Sequence, residues 1–122
     1  MSDQPVPHAH IGTIMLDCVD LETMVAFWTR ALGLEEKVRF PGYVWLGRVS
    51  DGGPSFAFQQ VPDTKLGKNR MHFDLSSPDP EGFMLAVERL GGSRIREHDT
   101  EGATWTVCAD PEGNEFCVTA EH

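Results

Sequence analysis

The second half of this chain repeats the first half in order, and this repeat constrains the fold more than any single motif. At an offset of 59 residues, Asp20 corresponds to Asp79. After one inserted residue, Phe56 corresponds to Phe116. A chain of 122 residues suffices for one packed domain, at about 100 to 150 residues per domain, but not for two. Residues 1–122 are therefore predicted to form a single domain in which both copies share one core.

Each copy has the sequence pattern of a βαβββ module. In the first copy, Asp20 is predicted to cap an amphipathic helix that ends at Gly33. In the second copy, Asp79 is predicted to open the helix and Gly91 to end it. Alternating side chains and turn residues predict strands at 11–19, 34–40, 43–49, 55–61, 71–76, 94–98, 104–109 and 115–119. The two modules are predicted to span about 10–61 and 70–120.

A polar linker, residues 62–69, joins the two modules and contains Lys65 and Lys68. Two interpretations of these lysines remain open. They belong either to a solvated connection or to a loop that contacts an anion.

Charge and cysteine content restrict the classes of partner. Ten Lys and Arg against 19 Asp and Glu give a net charge of −9, which disfavours nucleic acids and anionic membranes and favours a neutral or cationic small molecule. No apolar segment approaches the ~18 residues of a membrane span. The cysteines are Cys18, Cys108 and Cys117, an odd number without CxxC spacing. This pattern predicts neither a disulfide framework nor a zinc knuckle and favours a cytoplasmic location.

The order of three motifs resembles the vicinal oxygen chelate superfamily. They are a helix with Phe27-Trp28 that ends at Leu32-Gly33-Leu34, the run MHFDL at 71–75, and the run DPEGNEF at 110–116. The superfamily includes glyoxalase I, extradiol dioxygenases, fosfomycin-resistance enzymes and bleomycin-resistance proteins, and the chain is most similar to small glyoxalase-like members. The resemblance implies an α+β fold in which two βαβββ modules form a curved eight-stranded half-barrel around a cavity. It also implies helices on the convex side and a homodimer.

Strand alternation predicts which side chains face that cavity, because the more apolar face of each strand must lie under a helix. Tyr43, Trp45 and Trp105 occupy the third strands of the two modules. There they either stack on a planar ligand or pack in the core or against another subunit. The predicted ligand-binding residues are Thr13, Met15, Asp17, Ala57, Gln59, His72, Asp74, Trp105, Glu115 and Cys117.

Metal-dependent relatives draw one ligand from the first, fourth, fifth and eighth strands. The corresponding positions here hold Thr13, Ala57, His72 and Cys117, of which only His72 is the expected ligand. Ala57 has no donor atom and threonine is a poor ligand for divalent iron, manganese, nickel or zinc. The resemblance therefore implies no metal cofactor at the usual site. A divalent metal in a relocated site would use His72, Glu115 and Cys117, with Asp74 nearby.

His72 and Asp74 are the candidate catalytic residues, since imidazole exchanges protons near neutral pH and a carboxylate can orient it. The alternative is that His72 has a purely structural role and that Cys117 is a small apolar side chain that packs in the cavity wall. Whether the chain is an enzyme stays open at this point. The leading hypothesis is a metal-independent small-molecule-binding protein. The alternatives are a metal-dependent lyase, isomerase or dioxygenase, and an accessory or regulatory domain with a relic cavity.

Overall fold

The computed structural model of the chain describes residues 7, 10–69, 71–100 and 103–121. The first module contains β1 (Thr13–Cys18), α1 (Leu21–Leu32), β2 (Glu36–Phe40), β3 (Tyr43–Arg48) and β4 (Ser55–Gln60). The second contains β5 (Phe73–Ser77), α2 (Pro80–Arg89), β6 (Ser93–Thr100), β7 (Ala103–Ala109) and β8 (Glu115–Ala120). The element order confirms the two predicted βαβββ modules.

Each module builds one four-stranded sheet with the same topology. The strand orders are β1-β4-β3-β2 and β5-β8-β7-β6. In both sheets the first strand runs parallel to the last, and the remaining pairs are antiparallel. Within the described part of the chain no β-ladder joins the two sheets, so they form the predicted α+β half-barrel without closing into a barrel.

The two helices begin and end as their sequences predict. The Asp20 side chain accepts a hydrogen bond from the Thr23 N–H at 3.2 Å, and Gly33 adopts the left-handed conformation that ends α1, at φ 67°. The Asp79 side chain accepts from the Gly82 N–H at 3.1 Å. A side-chain oxygen at the N-cap satisfies one of the backbone donors that a helix start leaves free.

The repeat extends to two ion pairs between a helix and the second strand of its module. Glu22 of α1 binds Arg39 of β2 at 2.6 Å, and Glu81 of α2 binds Arg94 of β6 at 2.6 Å. Each arginine also contacts a second carboxylate, Glu36 and Glu88 respectively. Because these pairs are solvent-exposed, they position the helices more than they stabilise them.

Trp28 of α1 joins the hydrophobic side chains of both modules. Its side chain is 1% exposed and contacts Phe56 on β4, Phe73 on β5 and Phe116 on β8, with ring centroids 5.4, 6.3 and 5.3 Å away. Its edge-to-face neighbour Phe27 also reaches Phe116. The buried cluster therefore contains residues from both sheets and both helices.

The turn between β7 and β8 fastens the second module to the start of α1. Asp110 is 3% exposed and accepts hydrogen bonds from the Trp28 indole N–H and from Asn114. The Glu112 carboxylate accepts from the Val19 N–H at 2.9 Å and from the Asp20 N–H at 2.7 Å. A carboxylate at this position also interacts favourably with the positive end of the helix dipole. The DPEGN run thus acts as a clamp between modules.

One strand boundary differs from the prediction in a way that affects the site. β5 begins at Phe73, paired with Phe116, so His72 lies just before the strand. Met71, predicted as the first residue of this strand, is 79% exposed. No helix among the described residues is long and apolar enough to cross a membrane.

Candidate functional site

The first sheet presents the predicted cavity residues of the first module. Met15 on β1 and Trp45 on β3 flank Ala57 in register, and the Ala57 side chain is fully buried. Gln59 donates a hydrogen bond to the Tyr43 hydroxyl at 3.2 Å. Thr13 and Asp17 are exposed on β1.

The second sheet brings three of the predicted residues into one cluster. The His72 Nε2 lies 3.4 Å from an Asp74 carboxylate oxygen. Asp74 is opposite Cys117 in the β5–β8 register. One ligand atom of each of the three residues lies within 4.8 Å of the others. Because the rise per residue predicts about 7 Å between positions i and i+2, contact between His72 and Asp74 requires their side chains to turn toward each other.

The Cys117 thiol is protonated at neutral pH. Burial raises the pKa of Cys117, the Asp74 charge and a hydrogen bond to Asp74 raise it further, and Lys68 opposes them. Burial also raises the pKa of Cys18 to about 12 and that of Cys108 to about 11. Since the thiolate is the nucleophilic form, this environment does not activate Cys117 for covalent chemistry.

A second group on the same face consists of Arg96, His98 and Trp105. The His98 and Trp105 rings stack with centroids 5.0 Å apart and an interplanar angle of 16°. The Arg96 Nε donates a hydrogen bond to His98 Nε2 at 3.2 Å. Trp105 is half-buried. We call these three residues together with Lys68 the cation–aromatic group.

Sequence reasoning anticipated Trp105 but missed Arg96 and His98 as site residues. The signal that identifies them is the β6–β7 hairpin, in which His98 is directly opposite Trp105. The two positions are equidistant from the connecting turn, so a symmetric hairpin places their side chains on the same face. The β-bulge between Arg94 and Arg96 then puts Arg94 against α2, on the other face from Arg96.

A cavity of about 840 Å³ lies along the second sheet, between the His72 cluster and the cation–aromatic group. Of the predicted ligand-binding residues, four line it: His72, Asp74, Trp105 and Cys117. Thr13, Ala57 and Gln59 do not line it. A neighbouring pocket of about 260 Å³ brings Met15, His72 and Glu115 together, and Asp17 lines a third pocket beside Glu112.

The usual metal-ligand positions do not fit a divalent ion. Thr13, Ala57, His72 and Cys117 include one residue without a donor atom, and Ala57 is fully buried between its neighbours. The cluster of His72, Asp74 and Cys117 offers three donors of suitable type. It differs from the predicted relocated set by using Asp74 where Glu115 was expected.

Comparison with known proteins places the chain in a family. A sequence-family model described as a glyoxalase-like domain matches residues 13–119. The chain belongs to this family. No curated protein matches the sequence significantly.

Solved structures of this fold are similar to the glyoxalase-like chain over nearly its whole length. A glyoxalase/bleomycin resistance protein/dioxygenase family enzyme from Burkholderia phytofirmans aligns with a TM-score of 0.74 at 19% identity, covering 92% of this chain and 98% of that one. A glyoxalase-related enzyme from Fulvimarina pelagi has a TM-score of 0.70 at 19% identity, with 92% and 88% covered. The fosfomycin resistance protein FosX from Listeria monocytogenes has a TM-score of 0.70 at 14% identity, with 98% and 96% covered. The predicted resemblance to the vicinal oxygen chelate superfamily is confirmed.

Proposed function

We propose that this glyoxalase-like protein binds a small organic molecule in the cavity on the second sheet, and that it does so without a metal ion. The observation that carries the proposal is the 840 Å³ cavity lined by the stacked pair of His98 and Trp105. Sites for small molecules are typically concave and of roughly 300 to 1,000 Å³, with aromatic walls and a few polar groups. Ala57 supports metal independence because it supplies no donor where metal-using relatives have one.

Metal content tests this proposal directly. Protein purified without chelator should retain iron, manganese, nickel and zinc at levels far below one ion per chain. A ligand found by thermal-shift screening should bind equally well before and after dialysis against EDTA. The Trp105→Leu variant should lose that ligand, because the substitution removes the aromatic wall. Near-stoichiometric metal that survives dialysis would overturn metal independence.

A second candidate, favoured by the cluster of His72, Asp74 and Cys117, is a metal-dependent lyase, isomerase or dioxygenase. A bound divalent ion would polarise a substrate oxygen in such an enzyme. In the same measurement, metal present in the wild type and absent from the His72→Ala variant would support this candidate. Equal metal content in both proteins would exclude the cluster as the metal site.

We also propose a homodimer in the cytoplasm. Val38 and Phe40 are 44% and 56% exposed on β2, which is an edge strand of the first sheet. An exposed apolar edge strand tends to be covered by another chain. Light scattering should give twice the mass of the chain, and a monomeric mass at micromolar concentration would contradict the dimer.

A further inference from the structure

We propose that the cavity on the second sheet selects a planar aromatic anion, such as an aryl carboxylate. This inference rests on the proposed small-molecule binding and adds the chemical class of the ligand. It depends on the cation–aromatic group, namely Lys68, Arg96, His98 and Trp105, which all line the one cavity.

The aromatic part of the group is preformed. His98 and Trp105 lie opposite each other in the β6–β7 ladder, beyond its β-bulge, and their rings are already stacked at 5.0 Å. Both rings border the cavity, so a flat ligand finds an aromatic wall that need not rearrange. Preorganisation of this kind lowers the entropy cost of binding.

The cationic part of the group lacks the carboxylate partners that Arg39 and Arg94 have. Arg39 and Arg94 each bind two carboxylates on the surface. By contrast, neither Arg96 nor Lys68 forms an ion pair with any residue in the described ranges. In a chain with a net charge of −9, two cations that share one cavity and form no ion pair with a described residue are a local reversal of charge.

Arg96 and His98 retain N–H donors that are not used in hydrogen bonds to described residues. Arg96 uses Nε on His98 Nε2, and the remaining guanidinium N–H groups form no hydrogen bond to a described residue. A neutral imidazole that accepts through Nε2 carries its proton on Nδ1, so the contact with Arg96 leaves the other ring nitrogen of His98 as a donor. Arginine donors are well suited to a carboxylate, which accepts two parallel hydrogen bonds.

Among the described residues that line this cavity, Asp74 has the one carboxylate, against the two cations Lys68 and Arg96. The Asp74 side chain is 74% exposed, lies 3.4 Å from His72 Nε2 and accepts from the Cys117 thiol. A cationic ligand at the aromatic wall would meet Lys68 and Arg96. The sequence-based preference for a neutral or cationic ligand is consistent with the net charge of the chain, whereas the local sign at this cavity is the opposite.

Three probes that share a naphthalene ring and differ in the charge of its substituent test the effect of charge. We would titrate 2-naphthoate, 2-naphthamide and 2-naphthylmethylammonium into the full-length protein and measure binding by calorimetry. The carboxylate should bind on the order of tenfold more tightly than the amide, because its hydrogen bonds are charge-assisted. The ammonium compound should bind most weakly. The advantage of the carboxylate should shrink as salt increases.

Variants assign the effect to individual side chains. Arg96→Gln should remove most of the roughly tenfold preference for the carboxylate over the amide, and Trp105→Leu should weaken both compounds. Arg30→Gln on α1 is the matched control, since Arg30 is exposed in the last turn of that helix and does not line the cavity. It should bind 2-naphthoate like the wild type.

The outcomes distinguish this inference from the proposed function. Equal binding of all three probes, unchanged in Arg96→Gln, would overturn the anion preference and leave small-molecule binding intact. If none of the three probes binds but another compound does, and Trp105→Leu abolishes its binding, the anion preference is again wrong and small-molecule binding is kept. If no compound binds in a broad screen, both the ligand class and the binding function are wrong.

Discussion

Replacing Trp28 by alanine should lower the free energy of unfolding by about 3–5 kcal/mol, the usual cost of truncating a large buried aromatic side chain. The Trp28 indole contacts aromatic rings of β4, β5 and β8, and its N–H donates to Asp110 at 3.1 Å. Alanine would remove these contacts and leave the buried Asp110 carboxylate short of a donor. Because domains of this size are stable by only about 5–15 kcal/mol, the substitution removes a large fraction of the stability of the fold. Urea denaturation followed by far-UV circular dichroism measures the loss.

Trp45→Ala is the matched control, because Trp45 is only half-buried and stacks on Tyr43 at 6.0 Å. It should cost less than half as much as Trp28→Ala. Trp28→Phe keeps most of the ring packing and removes the N–H donor, so it should cost about 1–3 kcal/mol for the unsatisfied carboxylate oxygen. Equal losses for Trp28→Ala and Trp45→Ala would contradict the role of Trp28 in joining the two modules.

Local patterns were sufficient to predict the elements of this fold. Asp20 and Asp79 cap their helices as expected, because a short side-chain acceptor at this position satisfies a backbone donor within three residues. Alternation correctly predicted that Phe56 and Phe58 lie in the core, since the period of a strand is fixed at two residues. It did not predict that Ala57, which lies between them, is fully buried as well.

Contacts between the modules were not predictable from the same patterns. The bonds from Trp28 to Asp110 and from Val19 to Glu112 join residues 82 and 93 positions apart. The DPEGN run predicts a turn by its composition, but nothing in the run indicates that its two carboxylates reach another module. Such partners depend on how the modules pack, which local propensity does not specify.

The chemistry of the cavity was predicted only in part. His72, Asp74 and Cys117 share a face, as alternation predicts, and the structure brings them within 4.8 Å. The charge of the cavity was not predictable, because Arg96 and Lys68 contribute two of only ten basic residues in an acidic chain. Net charge describes the long-range field of a protein and not the local sign of one face.

Asp110→Asn should destabilise the protein by about 2 kcal/mol near neutral pH, because the amide replaces one acceptor oxygen by a donor. Both Asp110 oxygens accept hydrogen bonds, one from the backbone of Glu112 and Asn114 and the other from the Trp28 indole. An NH₂ group at either position would face donors already present. Urea denaturation of wild type and variant, in the same buffer, gives the difference in the free energy of unfolding.

The difference should grow as the pH is lowered. Burial raises the pKa of Asp110, and the hydrogen bonds from Asn114, Trp28 and Glu112 offset this only in part. A raised pKa in the folded state means that the stability contributed by this group is fully present below its pKa in the unfolded chain and is lost as the pH rises through its folded pKa. The wild type therefore gains stability relative to Asp110→Asn as the pH falls from neutrality toward the ordinary aspartate pKa of 3.8.

Asp51→Asn provides the control, since Asp51 is exposed in the turn between β3 and β4. It should change the free energy of unfolding by no more than about 0.5 kcal/mol at either pH. A difference between wild type and Asp110→Asn that shrinks on acidification would mean that the five hydrogen bonds to the carboxylate outweigh its burial. The clamp would then favour an ionised Asp110, and the pKa of this group would lie below its usual range.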